Sequence, residues 1–128
     1  MTTQPPLTTA EARRLWVEAL RSGEYKQGDG RLKYDNKLCV LGIACDLYAK
    51  NTGQGRWEDD SFYVSSDDYG YEGCVPSEVM DWLGLRDEDG GTYDGEALYE
   101  LNDDGVSFPE LADIIESNPP GLFVEEPT

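Results

Sequence analysis

The run Val40 to Leu47, VLGIACDL, constrains the fold more than any other stretch of the chain. Val40, Ile43, Ala44, Leu47 and Tyr48 recur at helical spacing. Gly42, Ala44 and Cys45 keep that helix thin, so a neighbouring element can approach its backbone closely. A helix of this composition belongs in the centre of a core and ends near Asn51-Thr52-Gly53. The residues before it run from a glycine-broken polar loop, Tyr25 to Gly30, into the alternation Arg31-Leu32-Lys33-Tyr34. Asp35-Asn36 can turn, and Lys37 to Val40 returns, which predicts a short hairpin.

The flanking segments supply the rest of a core. Thr8 with Glu11 makes a capping-box start, and Ala12, Leu15, Trp16, Ala19 and Leu20 share one helical face until Ser22-Gly23. Phe62-Tyr63-Val64 reads as a strand, followed by an exposed polar loop over residues 65–72. Pro76 opens a third helix with Val79, Trp82 and Leu83 on one face and Gly84 as its stop. Ala97 to Leu101 is too short to assign from its pattern. Ser107 with Glu110 starts a last helix, striped by Phe108, Leu111, Ala112 and Ile115 and closed by Asn118-Pro119-Pro120. The expected fold is α+β: about four helices around a small antiparallel sheet in a single domain over residues 8–118. Residues 1–7 and 119–128 are expected to be flexible tails.

Charge separates the two parts of the chain. The net charge is -17, yet residues 1–56 hold nine Lys+Arg against six Asp+Glu. Residues 57–128 hold twenty-one acids against one base, Arg86. Such a surface repels nucleic acid and anionic membranes and attracts a basic partner. No run approaches the ~18 apolar residues of a membrane span, and the first residues lack an apolar signal-peptide core. Three cysteines, an odd number, fit reduced thiols in a cytoplasm.

Histidine is absent, which removes Ser-His-Asp and Cys-His catalysis and the commonest metal ligand. Cys39, Cys45 and Cys74 lack the short clip of a structural zinc site and read as small hydrophobes, at least for the first two. Cys39 near a helix N-terminus would carry a lowered pKa. The turn from Asp87 to Glu96 resembles a calcium loop, but Thr92 and Leu98 occupy the two most diagnostic positions. No cofactor and no metal are therefore expected.

Two binding readings stand. One is a ligand site on the Tyr25–Lys37 loop and hairpin, where Lys26, Arg31, Lys33 and Lys37 concentrate positive charge around Gly28 and Gly30. A small nucleotide would meet Tyr25, Gln27, Gly28, Gly30, Lys33 and Asn102 there. The other is an acidic surface offered to a partner by Asp59, Asp60, Asp67, Asp68, Asp87, Glu88, Asp89, Asp103 and Asp104. Carboxylates in rows could imitate the regularly spaced phosphates of a duplex. Gln27 and Asn102 each sit beside a glycine turn, so capping of unpaired backbone groups is an equally physical role for them.

Four segments together resemble a family of small uncharacterised proteins of tailed phages and actinobacteria. They are Leu20-Arg21-Ser22-Gly23-Glu24-Tyr25-Lys26-Gln27-Gly28, Cys39 to Asp46, Pro76 to Leu85 with its Val79 and Trp82-Leu83-Gly84-Leu85, and Leu101-Asn102-Asp103. The resemblance covers about residues 15–116 and departs at Val40, where relatives carry a second cysteine. It implies a phage or prophage origin and no particular activity. The expectation is a non-enzymatic accessory protein, cytoplasmic in a host cell, that binds and modulates a host protein, with anti-defence action or nucleic-acid mimicry among its roles. That host protein would present a basic or nucleic-acid-binding face. The alternative is a binder that sequesters a nucleotide.

Overall fold

The computed structural model describes residues 9–28, 31–34, 36–58, 60–64, 70–73, 75–88, 90–92, 97–117, 119 and 121–123. Five helices and two antiparallel hairpins make an α+β fold. The helices are α1 (Thr9–Ser22), α2 (Val40–Thr52), α3 (Ser77–Leu83), α4 (Leu98–Asp103) and α5 (Phe108–Glu116). Strands β1 (Lys33–Tyr34) and β2 (Lys37–Leu38) pair with each other, as do β3 (Gly55–Glu58) and β4 (Ser61–Val64). The single small sheet expected from the sequence is thus two separate ribbons, and the short segment after Ala97 is a fifth helix.

Helix α2 is the centre. Val40 to Cys45 are all buried, as its apolar composition requires. Helix α1 lies against it with Trp16 fully buried, and the Trp16 indole N–H donates to the Val40 carbonyl at 2.9 Å. The close approach implied by Gly42 is made by the backbone of Leu32. A methyl group at Gly42 would overlap the Leu32 carbonyl oxygen. That oxygen accepts the Cys39 N–H at 3.1 Å, and the Leu32 N–H donates to Glu72 at 2.6 Å. Residues 26–28 run beside β2, bonded from Gly28 N–H to the Leu38 carbonyl and from Leu38 N–H to the Lys26 carbonyl, each 2.9 Å.

Three local expectations are corrected. Pro76 is the N-cap of α3 rather than its first helical residue, because its ψ of 159° is extended. Residues 119–123 are not a tail: Leu122 and Phe123 are buried, and Phe123 bridges Leu85 in antiparallel fashion. Gly55–Glu58 is a strand, its Trp57 paired with Phe62, although alternation around Gly53 and Gly55 gave no clear pattern. Thr8 lies outside the described residues, whereas the second cap is formed, with Ser107 Oγ accepting the Glu110 N–H at 3.4 Å.

Gly42→Ala should cost about 3 kcal/mol of stability, because the added methyl meets backbone that cannot move without breaking the Leu32 bonds. Urea unfolding followed by circular dichroism measures this. A change within ~0.5 kcal/mol would mean that the Leu32–α2 contact is looser than described.

Candidate functional site

The sequence-derived ligand residues divide into two groups in space. Gln27, Gly28 and Asn102 meet in a buried polar network at the start of α2. Asn102 retains 2% exposure, and its Oδ1 accepts the Val40 N–H and the Gln27 side-chain amide, both at 3.1 Å. Its Nδ2 donates to the Gly28 carbonyl at 2.7 Å. The Gln27 amide donates a second bond to the Val106 carbonyl at 2.7 Å. Both lone pairs of Asn102 Oδ1 and both N–H bonds of the Gln27 amide are thereby occupied. Helix α2 begins at Val40, so Asn102 satisfies one of the N–H groups that a helix start leaves without an intrahelical acceptor.

Tyr25 and Lys33 belong to a second cluster, around Asp46. The Tyr25 hydroxyl donates to Asp46 Oδ2 at 2.9 Å, and the Trp57 indole donates to Oδ1 at 3.2 Å. Lys50, one turn further along α2, reaches Oδ2 at 3.0 Å and the Tyr25 hydroxyl at 3.3 Å. Lys33 lies 5.3 Å from the centre of the Trp57 ring, and Lys50 lies 5.4 Å from that of Tyr25. Burial and donation to Asp46 hold the Tyr25 phenol above its ordinary pKa, and Asp46 and Tyr25 together raise that of Lys50. A carboxylate accepting from three side chains is pinned in place. The cluster therefore ties the loop after α1 to α2 and to β3 and displays two lysines over aromatic rings. Trp57 and Lys50 were not among the sequence candidates; the i,i+4 pair Asp46/Lys50 was the signal that could have found them. Gly30 lies outside the described residues.

Cys39 is the N-cap of α2, where its Sγ accepts the Gly42 N–H at 3.3 Å. The lowered pKa expected from that position is overturned. Burial outweighs the helix terminus and pushes the thiol up to about 11. Cys39 and Cys45 are both free and buried, and Cys74 lies outside the described residues. Among the described residues no three acids or cysteines are grouped to hold a metal ion. Asp89 and residues 93–96 of the calcium-like turn are outside them.

Of the proposed acidic surface, Glu88 and Asp104 are exposed, while Asp60, Asp87 and Asp103 are partly buried. Asp59, Asp67, Asp68 and Asp89 lie outside the described residues. Exposed acids missing from the sequence candidates are Glu78 and Asp81 on α3, Glu100 on α4 and Glu110 on α5. Their helical faces become known only once the elements are placed.

Residues 9–119 match the family model described as Domain of unknown function (DUF8296). The chain belongs to this family. No curated protein and no solved structure matches it. The matched span begins with α1 and runs past the end of α5, so both clusters and the exposed acids lie within the DUF8296 domain. No described helix of the domain is long and apolar enough to cross a membrane.

The two clusters respond differently to mutation. Asn102→Ala should destabilise the DUF8296 domain by about 3 kcal/mol, because it strands the Val40 N–H, the Gln27 amide and the Gly28 carbonyl. Tyr25→Phe, which removes one partly exposed hydroxyl, should cost about 1 kcal/mol. Equal losses in urea unfolding would contradict this ranking. The Cys39 thiol gives a pH signature. Its neutral form is favoured in the fold, so its contribution is full below pH 9 and is lost as pH rises through about 11. Wild type should lose more stability than Cys39→Ser over that interval, and parallel losses would show that the thiol is not protected.

Proposed function

We propose that this domain is a non-enzymatic binding protein that engages a basic protein surface through the acids of residues 75–110. One observation carries the reading: the cations of this domain are committed elsewhere. Glu78, Asp81, Glu88, Glu100, Asp104 and Glu110 are exposed over this span, where the sequence provides a single base, Arg86. The Arg86 Nε–H donates to the Gly121 carbonyl at 2.6 Å. Ion pairs form instead between Arg21 and Asp113 and Glu116, Arg31 and Glu72, Lys50 and Asp46, and Arg56 and Glu58.

The resemblance to small phage proteins makes the partner a host protein, met in the host cytoplasm, whose own ligand is anionic. Occupying a nucleic-acid-binding face would modulate or disable that protein and would serve an anti-defence role. The nucleotide-sequestering alternative draws less support. The hydrogen-bonding groups of Gln27 and Asn102 that a nucleotide would use are turned inward.

Retention of host proteins on the immobilised domain tests the reading. A specific partner should weaken at least about tenfold between 50 and 200 mM salt, and the combined variant Glu78→Lys, Asp81→Lys, Glu88→Lys should lose it. Binding unchanged by salt and by the charge reversals would sink the acidic-surface reading. A rise in melting temperature on adding a nucleotide would move support to the alternative.

A further inference from the structure

A groove of about 500 Å³ lies between α1, α5 and Phe123 and belongs to neither cluster described above. Its α1 wall is formed by positions 10, 13, 14, 17, 18 and 21, one straight face over three turns. Eleven residues of rise make that wall about 16 Å long. The floor is apolar: Val17 and Phe123 retain 7% and 8% exposure, beside buried Ile115.

In a chain of net charge -17, three of the ten cations line this one feature. Arg13 is held at the groove with its Nε–H on the Leu83 carbonyl at 2.7 Å and its guanidinium 3.8 Å over the centre of the Phe123 ring. Arg14 beside it is exposed. At the other end Arg21 bridges to Asp113 at 2.7 Å and Glu116 at 3.2 Å, which joins α1 to α5 and leaves that end balanced in charge. Positive charge is therefore surplus at the Arg13/Arg14 end only.

We infer that the groove docks an acidic, apolar segment of a partner polypeptide. Its Asp or Glu side chains lie against Arg13 and Arg14, and its apolar side chains lie on Val17, Ile115 and Phe123. The shape favours a peptide: an apolar trough along two packed helices is the surface that an amphipathic segment fills. A guanidinium already fixed by a carbonyl and a ring loses little freedom on meeting a carboxylate, so the Arg13 end is preorganised. This partner segment is opposite in sign to the one met by the exposed acids of residues 75–110, so the two surfaces are independent.

Selection of the full chain against a displayed library of random twelve-residue peptides tests the inference. The enriched consensus should pair apolar residues with Asp or Glu. A synthetic peptide of that consensus, labelled with fluorescein, should bind Arg14→Glu and Ala10→Glu at least tenfold more weakly than wild type by anisotropy. Both positions are exposed, and thermal melts of the two variants verify that they fold. A basic consensus, no enrichment, or equal binding to wild type and both variants would overturn the proposal.

Discussion

The first turn of α2 is where the separate segments of this chain become one structure. Its opening N–H groups are taken by Asn102 from α4 and by the Cys39 thiol, and its first carbonyl by the Trp16 indole from α1. The Leu32 carbonyl presses on Gly42 from the hairpin side. A buried helix start with unmet donors is costly, so each of these partners must be in register for α2 to be buried at all. Asn102 is the one polar residue among the described positions that is fully buried, and it serves this terminus. Removing water from the site makes the bonds directional constraints rather than interchangeable contacts.

The distribution of charge follows from what the cations are used for. Arg31 pairs with Glu72, Arg56 with Glu58 and the Tyr63 ring, Lys50 with Asp46, and Lys33 rests on Trp57. All four join the hairpins to their neighbours. The positive side chains of the first half thus hold that half together, and they are not distributed over the acids of the second. The uneven charge in the sequence consequently survives folding as an uneven surface, where compaction could have interleaved the two signs.

Helical periodicity made α1, α2, α3 and α5 legible, because each carries a stripe of apolar residues and a recognisable start or stop. Gly42 announced a close neighbour, although not that the neighbour would be the backbone of Leu32, ten residues earlier. Helix α4 and strand β3 were hidden for the same reason. Each is short, so neither shows enough of a period, and both exist through burial of one or two side chains, Leu98 in α4 and the Trp57–Phe62 pair in the ribbon. The candidate site was legible as residue types and not as partners. Gln27 and Asn102 are 75 positions apart, and nothing local shows that their amides meet. The pKa of Cys39 misled because proximity to a helix end was visible in the chain, while the depth of burial that outweighs it was not.

The acids of α3 and α4 are displayed on elements that could not stand alone. These helices have seven and six residues, and neither N-cap side chain bonds to the backbone. Isolated helices so short do not persist in water. Two arginines support this region, and both bind carbonyls. Arg13 donates to the Leu83 carbonyl at the C-terminus of α3, where the helix dipole favours a cation, and Arg86 donates to the Gly121 carbonyl. Satisfying backbone carbonyls anchors the acidic helices without drawing their carboxylates into ion pairs. The same mass of negative charge held by Lys–Glu bridges would be equally stable but electrically quiet. Held this way, it keeps an outward field at the cost of mutual repulsion, a cost the buried faces of Val79, Leu83 and Leu98 must offset.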